Sequence, residues 1–282
     1  MTLLLGMSRP EGIYMSADYR GSDARTGRLI EDSSVKFLYV QYPPDKGGPT
    51  SLLAYTGLAV LPDGTPTGTW LRETLRGESE PFDKSMTHLG SRLDRDIARL
   101  RIPLIINVLV LNGERRFSGS FSNLETVQKK NLVRDSFAYN LQELEGPFVF
   151  ANGTGATQVI ASQQLNLHRA QLGVRANRPF ELMKLLATVN RRVAQRTKSV
   201  SQYCHVQFIN SDDRTSPTSH TFLDKSETIP FELPEVLLGI DPTGMSRRFH
   251  DELGAFFRGE VDDIKGAYLD SDAMNRELKR RP

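Results

Sequence analysis

Two short apolar segments flank a glycine-containing break at the start of the chain, and this feature restricts the fold most. The segments span residues 2–8 and 13–20, and a third extended segment runs from Val35 to Gln41. Short apolar runs separated by glycine are typical of paired β-strands. We therefore predict a sheet here, with four strands between residues 2 and 59. Residues 21–27 and 43–49 are predicted to form polar connections.

Three polar side chains fall within these predicted strands: Thr2, Asp18 and Lys36. A charge inside an apolar strand needs a partner, so we expect Asp18 and Lys36 to pair. One interpretation is an ordinary ion pair, which contributes about 0–1 kcal/mol when it is exposed. In that case Thr2 would be an ordinary strand residue. The other interpretation is catalytic, because Thr2 would begin the chain once Met1 is removed.

An N-terminal threonine combines a hydroxyl nucleophile with a base, which is its own α-amine. The ordinary pKa of an α-amine is about 7.7–8.0, against about 10.4 for lysine, so the amine can be neutral near physiological pH. A nearby ammonium such as that of Lys36 would lower this pKa further. Asp18 would hold Lys36 charged and in place. The chemistry fails if Met1 stays, because the nitrogen is then an amide.

The N-terminal strands resemble those of a proteasome β-type subunit, a member of the N-terminal-nucleophile hydrolases. The matching residues are Thr2, Asp18-x-Arg20, Lys36 and the strand from Leu53 to Ala59. The resemblance covers residues 2–209. With no propeptide before Thr2, it is most similar to the bacterial branches, such as the betaproteobacterial proteasome homologue. It implies that Arg20 supports Asp18 or a nearby loop.

The tripeptide Gly153-Thr154-Gly155 resembles the Gly-Ser-Gly turn that lies beside the nucleophile in that family. The resemblance implies that the Gly153 N–H forms part of an oxyanion hole and that Thr154 bonds near the Thr2 amine. Taken alone, the tripeptide indicates a tight turn. It lacks the Gly-Lys-Ser/Thr that completes a phosphate-binding loop.

The segment from Arg196 to Gln202 departs from the family pattern. The family carries an aspartate and, three residues later, a serine before its last core strand. Ser199 or Ser201 matches the serine, but this segment has no aspartate. We therefore expect a different hydrogen-bond network around the Thr2 amine and weaker activity.

Alternating strands and helices favour an α+β fold. Hydrophobic spacing predicts helices at residues 70–75, 86–100, 157–172, 180–193 and 246–258, and strands at 105–111, 115–121, 147–151 and 204–209. Residues 124–144 are ambiguous between an insertion and an extended strand with a loop. The resemblance implies a four-layer αββα sandwich for residues 1–209. Residues 210–282 would form a C-terminal extension, partly helical with a charged tail.

Composition excludes several classes of function. The 282 residues carry 36 basic and 34 acidic side chains, so there is no electrostatic case for nucleic-acid binding. No apolar run approaches the roughly 20 residues that a membrane-spanning helix needs. A single cysteine, Cys204, is compatible with a cytoplasmic protein and is expected to be a small buried residue rather than a nucleophile. The five histidines are scattered, so we predict no metal site and no cofactor.

The resemblance implies a threonine-type peptidase in stacked homo-oligomeric rings, with its sites inside. The substrate would be an unfolded protein or peptide, and an ATP-dependent unfoldase is a plausible partner. Two alternatives remain open. The missing aspartate favours a ring-forming scaffold with a weak or inactive site, and an open monomer would favour a small-molecule amidase of the same fold.

Overall fold

The computed structural model describes part of the 282-residue chain. The described residues are 2–22, 29–31, 35–42, 48–77, 81–127, 130–163, 167–168, 178–212, 218–222, 235–237, 239–241 and 258. The predicted helix at 246–258 lies outside them, apart from its last residue.

A five-stranded antiparallel sheet contains the N-terminal strand pair. Its strands are β1 (Leu4–Arg9), β2 (Gly12–Asp18), β10 (Phe148–Asn152), β11 (Cys204–Asn210) and β12 (Thr218–Phe222). Their order is β10-β1-β2-β11-β12. Leu4 pairs with Ala17, so the predicted strand pair is confirmed. The sheet thereby brings Asp18, at the end of β2, beside the start of the chain.

The second sheet has six strands in the order β13-β5-β6-β7-β8-β9. Its strands are β5 (Phe37–Gln41), β6 (Thr50–Gly57), β7 (Leu104–Asn112), β8 (Arg115–Val127), β9 (Lys130–Glu143) and β13 (Glu235–Leu237). The ambiguous residues 124–144 belong mainly to β9 and to the end of β8. A ribbon of β3 (Gly21–Ser22) and β4 (Leu29–Glu31) brings the strands within residues 2–59 to six, so the prediction of four, with a connection from residue 21, was wrong.

Within the described residues, four helices of at least 7 residues accompany the sheets. They are α1 (Thr67–Leu75), α2 (Phe82–Asp96), α3 (Ala156–Ser162) and α4 (Pro179–Ala194), and a short 3₁₀ turn (Ala98–Leu100) follows α2. The helix predicted at 157–172 begins as expected, but most of its second half lies outside the described residues. Within the described part of the chain, no helix is long and apolar enough to cross a membrane.

The buried side chains form three apolar clusters. One joins the second sheet to α1 and α2, with Leu89 and Leu93 among its members. A second joins the first sheet to α3 and α4, with Leu182 and Leu186 among its members. The third contains residues of both sheets, including Leu4 from β1 and Leu109 from β7. The two sheets therefore share an apolar core, and each has a second core with its own helices.

The described part of the segment after residue 209 adds a strand to each sheet. β12 pairs with β11, and β13 pairs in parallel with β5. Arg72 of α1 forms a buried ion pair with Asp241, with a distance of 3.1 Å between Nε and Oδ2. The division into residues 1–209 and 210–282 stays a prediction.

This ion pair gives a test of how firmly the segment around Asp241 is held. Replacing Arg72 by alanine removes a charged partner of a buried carboxylate, a change that typically costs about 3–5 kcal/mol. We expect urea denaturation of Arg72→Ala to show a loss of that size in the free energy of unfolding. Arg115→Ala is the matched control, because Arg115 pairs with Glu143 on the surface. Equal losses in the two variants would contradict the prediction.

Candidate active site

Asp18 and Lys36 form a buried ion pair between the two sheets. Asp18 ends β2 in the first sheet, and Lys36 directly precedes β5 in the second. Lys36 Nζ lies 3.1 Å from Asp18 Oδ1, and the side chains are 2% and 0% exposed. Lys36 Nζ also donates a hydrogen bond to the Arg20 carbonyl oxygen at 2.5 Å. The ammonium is therefore fixed in position by one charged and one neutral acceptor.

The Asp18 carboxylate accepts hydrogen bonds on both oxygens. Oδ1 accepts from the Leu3 backbone N–H at 3.0 Å as well as from Lys36. Oδ2 accepts from the backbone N–H groups of Arg20 at 3.2 Å and Ser201 at 2.9 Å. Because Leu3 follows Thr2, the group that holds the lysine also fixes the peptide next to the predicted nucleophile.

Thr2 is 2% exposed and directly precedes Leu3, and the glycine turn lies against its main chain. The Gly155 N–H donates to the Thr2 carbonyl oxygen at 3.3 Å. Gly153 has φ +87°, and a Cβ there would lie 2.2 Å from the same oxygen and 2.9 Å from Thr56 Oγ1. Both the conformation and the close approach require glycine. The structure therefore brings the predicted turn and Thr2 together.

The predicted supporting residues, Arg20, Ser199 and Ser201, make contacts to or within the segment from Arg196 to Gln202, which lacks the aspartate. The Arg20 guanidinium donates to the Lys198 carbonyl oxygen. Ser201 reaches Asp18 through its backbone N–H, while its hydroxyl accepts from the Tyr203 N–H at 3.2 Å. The Ser199 hydroxyl lies 2.9 Å from Thr197 Oγ1. Of the two candidate serines, Ser201 is the one that contacts a predicted catalytic residue.

The sequence analysis placed Gly57 in the strand that resembles the family but gave it no role in the site; it lies at the end of β6. Its φ is +113°, and a Cβ there would lie 2.1 Å from the Pro103 carbonyl oxygen. The Tyr55 N–H donates to the Lys36 carbonyl oxygen, and the Leu58 N–H donates to the Pro103 carbonyl oxygen. Gly57 therefore lies between a residue that bonds toward Lys36 and one that bonds toward Pro103. A glycine ending a strand was the available signal, because it marks close backbone approach.

A cleft of about 640 Å³ opens beside this turn. The described residues that line it include no charged side chain. The lining residues nearest the predicted site are Thr56, Gly57, Asn152, Gly153, Thr154 and Thr157. Thr154 therefore belongs to the turn beside Thr2 and also lines a space large enough for a ligand.

The described part of the chain shows neither a cysteine nucleophile nor a metal site. Cys204 is fully buried, and desolvation raises the pKa of its thiol to about 12. A thiol with that pKa is not a nucleophile near neutral pH. Among the described residues, no three His, Cys, Asp or Glu side chains cluster so that they could hold a metal ion.

Comparison with known proteins identifies a shared fold. No family model matches this chain, and no curated protein matches it. Among solved structures, Anbu (ancestral beta-subunit) from Yersinia bercovieri is similar with a TM-score of 0.50 and 13% identity, over 94% of this chain and 99% of that one. Anbu from Hyphomicrobium sp. strain MC1 gives a TM-score of 0.48 and 12% identity, over 99% of this chain and 98% of that one.

The chain has the fold of an ancestral beta-subunit. The structural similarity covers nearly the whole of both chains. It therefore supports the proteasome-like fold that the sequence resemblance implies. Identity of 13% says nothing about activity.

The four donors around Asp18 lead to a prediction about its charge. An asparagine can accept on only one side, so Asp18→Asn would turn an NH₂ group toward two donors. We expect a loss of about 3–5 kcal/mol in the free energy of unfolding, as for other broken buried ion pairs. Asp63→Asn makes the same change at an exposed turn and should alter stability far less. A nearly neutral Asp18→Asn in urea denaturation would be inconsistent with this geometry.

Burial of Cys204 leads to a second prediction. At pH 8 its thiolate is scarcely populated, because its pKa is raised to about 12. We expect no reaction with a thiol reagent such as Ellman's in the folded protein and one equivalent after unfolding in guanidinium. Raising the pH toward 9 should change the folded reaction little, since burial also blocks access. Rapid labelling of the folded protein would show that the strand opens readily.

Proposed function

We propose that this chain is a threonine-type peptidase subunit, with Thr2 as its nucleophile after removal of Met1. The observation that carries the proposal is the Asp18 carboxylate, which binds both the Leu3 N–H and the Lys36 ammonium. One buried group thus links the residue after Thr2 to a fixed cation. The shared fold with an ancestral beta-subunit supports a place in a larger assembly.

The proposed assembly is a self-compartmentalising set of stacked homo-oligomeric rings in the cytoplasm. In each subunit, the two sheets would stack face to face, with α1 and α2 on one outer face and α3 and α4 on the other. The three apolar clusters support this four-layer arrangement, because one of them lies between the sheets. A closed chamber would admit unfolded chains or peptides, and an ATP-dependent unfoldase would supply them.

The mechanism begins with proton transfer from Thr2 Oγ1 to the α-amine, directly or through a water. The oxygen attacks the substrate carbonyl, and the Lys36 ammonium stabilises the negative charge on Oγ1 as the proton leaves. The α-amine then returns the proton to the leaving nitrogen of the substrate. This releases one peptide and leaves an ester on Thr2. Water, activated by the same amine, hydrolyses the ester and restores the hydroxyl.

The oxyanion of the tetrahedral intermediate needs backbone donors. Gly153 is the donor that the sequence resemblance implies. Gly57 is a second candidate, because it lines the cleft beside Gly153 and carries no side chain to cover its backbone N–H. Loss of one oxyanion-hole donor typically costs about 2.7–4 kcal/mol of transition-state stabilisation. Thr154 would bond near the Thr2 amine and orient it.

A ring-forming scaffold with an inactive site is the second candidate function. The segment from Arg196 to Gln202 contains no aspartate, and the Asp18 contact there is made by the backbone of Ser201. A backbone N–H cannot take up a proton, so this segment would orient the site without assisting proton transfer. A small-molecule amidase of the same fold would instead require an accessible, non-compartmented site.

The deciding experiment examines Thr2 in the purified full chain. We expect mass analysis to find a chain that begins at Thr2 and carries one equivalent of an epoxyketone, which reacts with a hydroxyl and an adjacent amine. Thr2→Ser should keep part of the peptidase activity, because both groups remain, whereas Thr2→Ala and Lys36→Met should lose at least about a thousandfold. Thr188→Ala, on the exposed side of α4, is the matched control and should keep full activity.

Light scattering on the same samples tests the assembly. Thr2→Ser and Thr2→Ala should form a closed homo-oligomer, because each changes only one or two side-chain atoms. Lys36→Met leaves the buried Asp18 carboxylate without its cation, so its activity is compared only after light scattering shows that it assembles. An assembled particle with intact Met1 and no cleavage would establish the scaffold, and a monomer that hydrolyses small amides would establish the amidase. Intact Met1 together with peptide cleavage would refute the mechanism.

A further inference from the structure

The strand β10 lies at one edge of the first sheet, and its hydrogen bonds to β1 fix the direction of its main-chain groups. The sheet has the order β10-β1-β2-β11-β12, so β1 is the neighbour of β10. The Asp18 N–H of β2 donates to the Leu3 carbonyl oxygen, so Leu3 bonds toward β2. Because the next residue of a strand bonds to the other side, Leu4 bonds toward β10, where it lies opposite Asn152. Asn152 therefore bonds to β1.

The same alternation leaves two residues of β10 with main-chain groups on the open side. In an antiparallel pair, hydrogen-bonded pairs alternate with pairs that are not hydrogen-bonded. The pair of Leu4 with Asn152 is hydrogen-bonded, so the pair of Leu5 with Ala151 is not, and Val149 is placed like Ala151. In the described part of the chain, the N–H and C=O groups of Val149 and Ala151 have no other partner. This edge thus offers two donors and two acceptors at alternate positions, which suits an extended chain.

The outer edge of the second sheet differs, because a side chain binds a donor there. The strand β9 ends that sheet, and its Phe137 N–H donates to the Asp94 carboxylate of α2 at 2.7 Å. Proteins commonly cover or cap the edges of their sheets, since an open edge pairs with other extended chains. Among the described residues, no side chain caps Val149 or Ala151 in this way. The edge of β10 is therefore suited to strand addition.

The open edge leads to the predicted active site. Asn152 ends β10, and Gly153 and Thr154 follow it in the turn beside Thr2; all three line the cleft. A strand added to β10 would lie about 4.8 Å from it and about 10 Å from β1. About three residues of extended chain span the second distance. A peptide paired with β10 would therefore reach Thr2 about three residues beyond its paired segment.

The size of the cleft favours a single peptide over a second copy of this chain as the occupant. The cleft lies between Asn152 of the first sheet and Ile105 and Ser122 of the second, and its volume is about 640 Å³. That volume is within the range of small-ligand sites, about 300–1,000 Å³. A folded sheet would bring a second strand into this space, whereas an extended peptide brings one.

We propose that the edge of β10 binds the peptide substrate as an added antiparallel strand, through the main chain of the substrate. The proposal rests on the proposed peptidase function, which places the nucleophile at Thr2. Every strand pair of the first sheet is antiparallel, so an antiparallel addition continues the sheet. Since β10 runs toward the glycine turn, the peptide would run away from it. The paired residues would then lie on the C-terminal side of the bond that Thr2 attacks.

The first test measures peptide binding by the full chain carrying Thr2→Ala, so that no turnover interferes. The probe is a fluorescein-labelled peptide of eight threonines, because β-branched residues favour extended backbone. One derivative carries four N-methyl groups on alternate residues, and the other carries four on consecutive residues in the middle. An added strand uses alternate residues only. We expect the alternate derivative to bind within about twofold of the parent peptide and the consecutive one to bind at least about tenfold more weakly.

The second test changes the edge of the protein. Ala151→Pro removes the outward N–H and places the proline ring there, but it breaks no bond to β1. We expect the parent peptide to bind at least about tenfold more weakly, with little change in thermal unfolding. Ser219→Pro is the matched control in β12, the opposite edge strand of the same sheet, where the same alternation points its N–H away from β11. It should leave the affinity unchanged.

Several outcomes would overturn the proposal. Equal affinity for both methylated derivatives, or equal binding by Ala151→Pro and its parent, would exclude strand addition at this edge. A dimer that Ala151→Pro abolishes without altering peptide affinity would assign the edge to a second copy of this chain. Absence of binding by the unmethylated peptide would also overturn the proposal.

The two proposals can fail independently. Epoxyketone labelling of Thr2 in the wild-type chain tests the nucleophile without reference to β10. A labelled Thr2 with no effect of Ala151→Pro on peptide binding would overturn the added strand alone. Binding that depends on the pattern of methylation and on Ala151, with no labelling, would support the added strand and overturn the nucleophile.

Discussion

The buried carboxylate of Asp18 is the interaction on which the rest of the site depends. A charge taken out of water is costly unless it is paired and its lone pairs are used. Asp18 meets both conditions. Its carboxylate accepts from the backbone N–H groups of Leu3, Arg20 and Ser201 and pairs with the ammonium of Lys36. Removing any one donor would leave part of this cost uncompensated. The carboxylate therefore holds together four segments that are far apart in sequence.

Two glycines with positive φ set the shape of the site around that carboxylate. Gly153 allows the turn after β10 to lie against the Thr2 carbonyl, and Gly57 allows the end of β6 to lie against Pro103. Gly153 follows a strand of the first sheet and Gly57 ends a strand of the second, so each sheet contributes bare backbone to the lining of the cleft. Bare backbone is what a developing oxyanion requires, because fixed N–H groups need no reorganisation as charge forms.

Local patterns in the sequence predicted the fold where the pattern is simple. The pair β1 and β2 was predictable because two short apolar runs flank a glycine-containing break. Helix α2 was predictable because its apolar residues repeat every three to four positions. The strand β9 was not, because its exposed positions and the register shift after Ser122 remove the simple alternation. Asp18 and Lys36 could be paired from their isolation in apolar strands. The hydrogen bond between Asn152 and Asn107 could not be predicted, because it forms only when the two sheets are placed together.

The glycine turn connects the cleft to the main chain of Thr2. Gly155 bonds to the Thr2 carbonyl, while Gly153 and Thr154, in the same turn, line the cleft. A ligand in the cleft would therefore contact the turn that bonds to the Thr2 carbonyl oxygen. Asn152 directly precedes this turn and is fixed to Asn107 of the other sheet, so the turn cannot shift far without breaking that amide contact. The segment before β11 lacks the aspartate. In the proposed mechanism, this anchored turn would therefore be the element that orients the Thr2 amine toward its own hydroxyl.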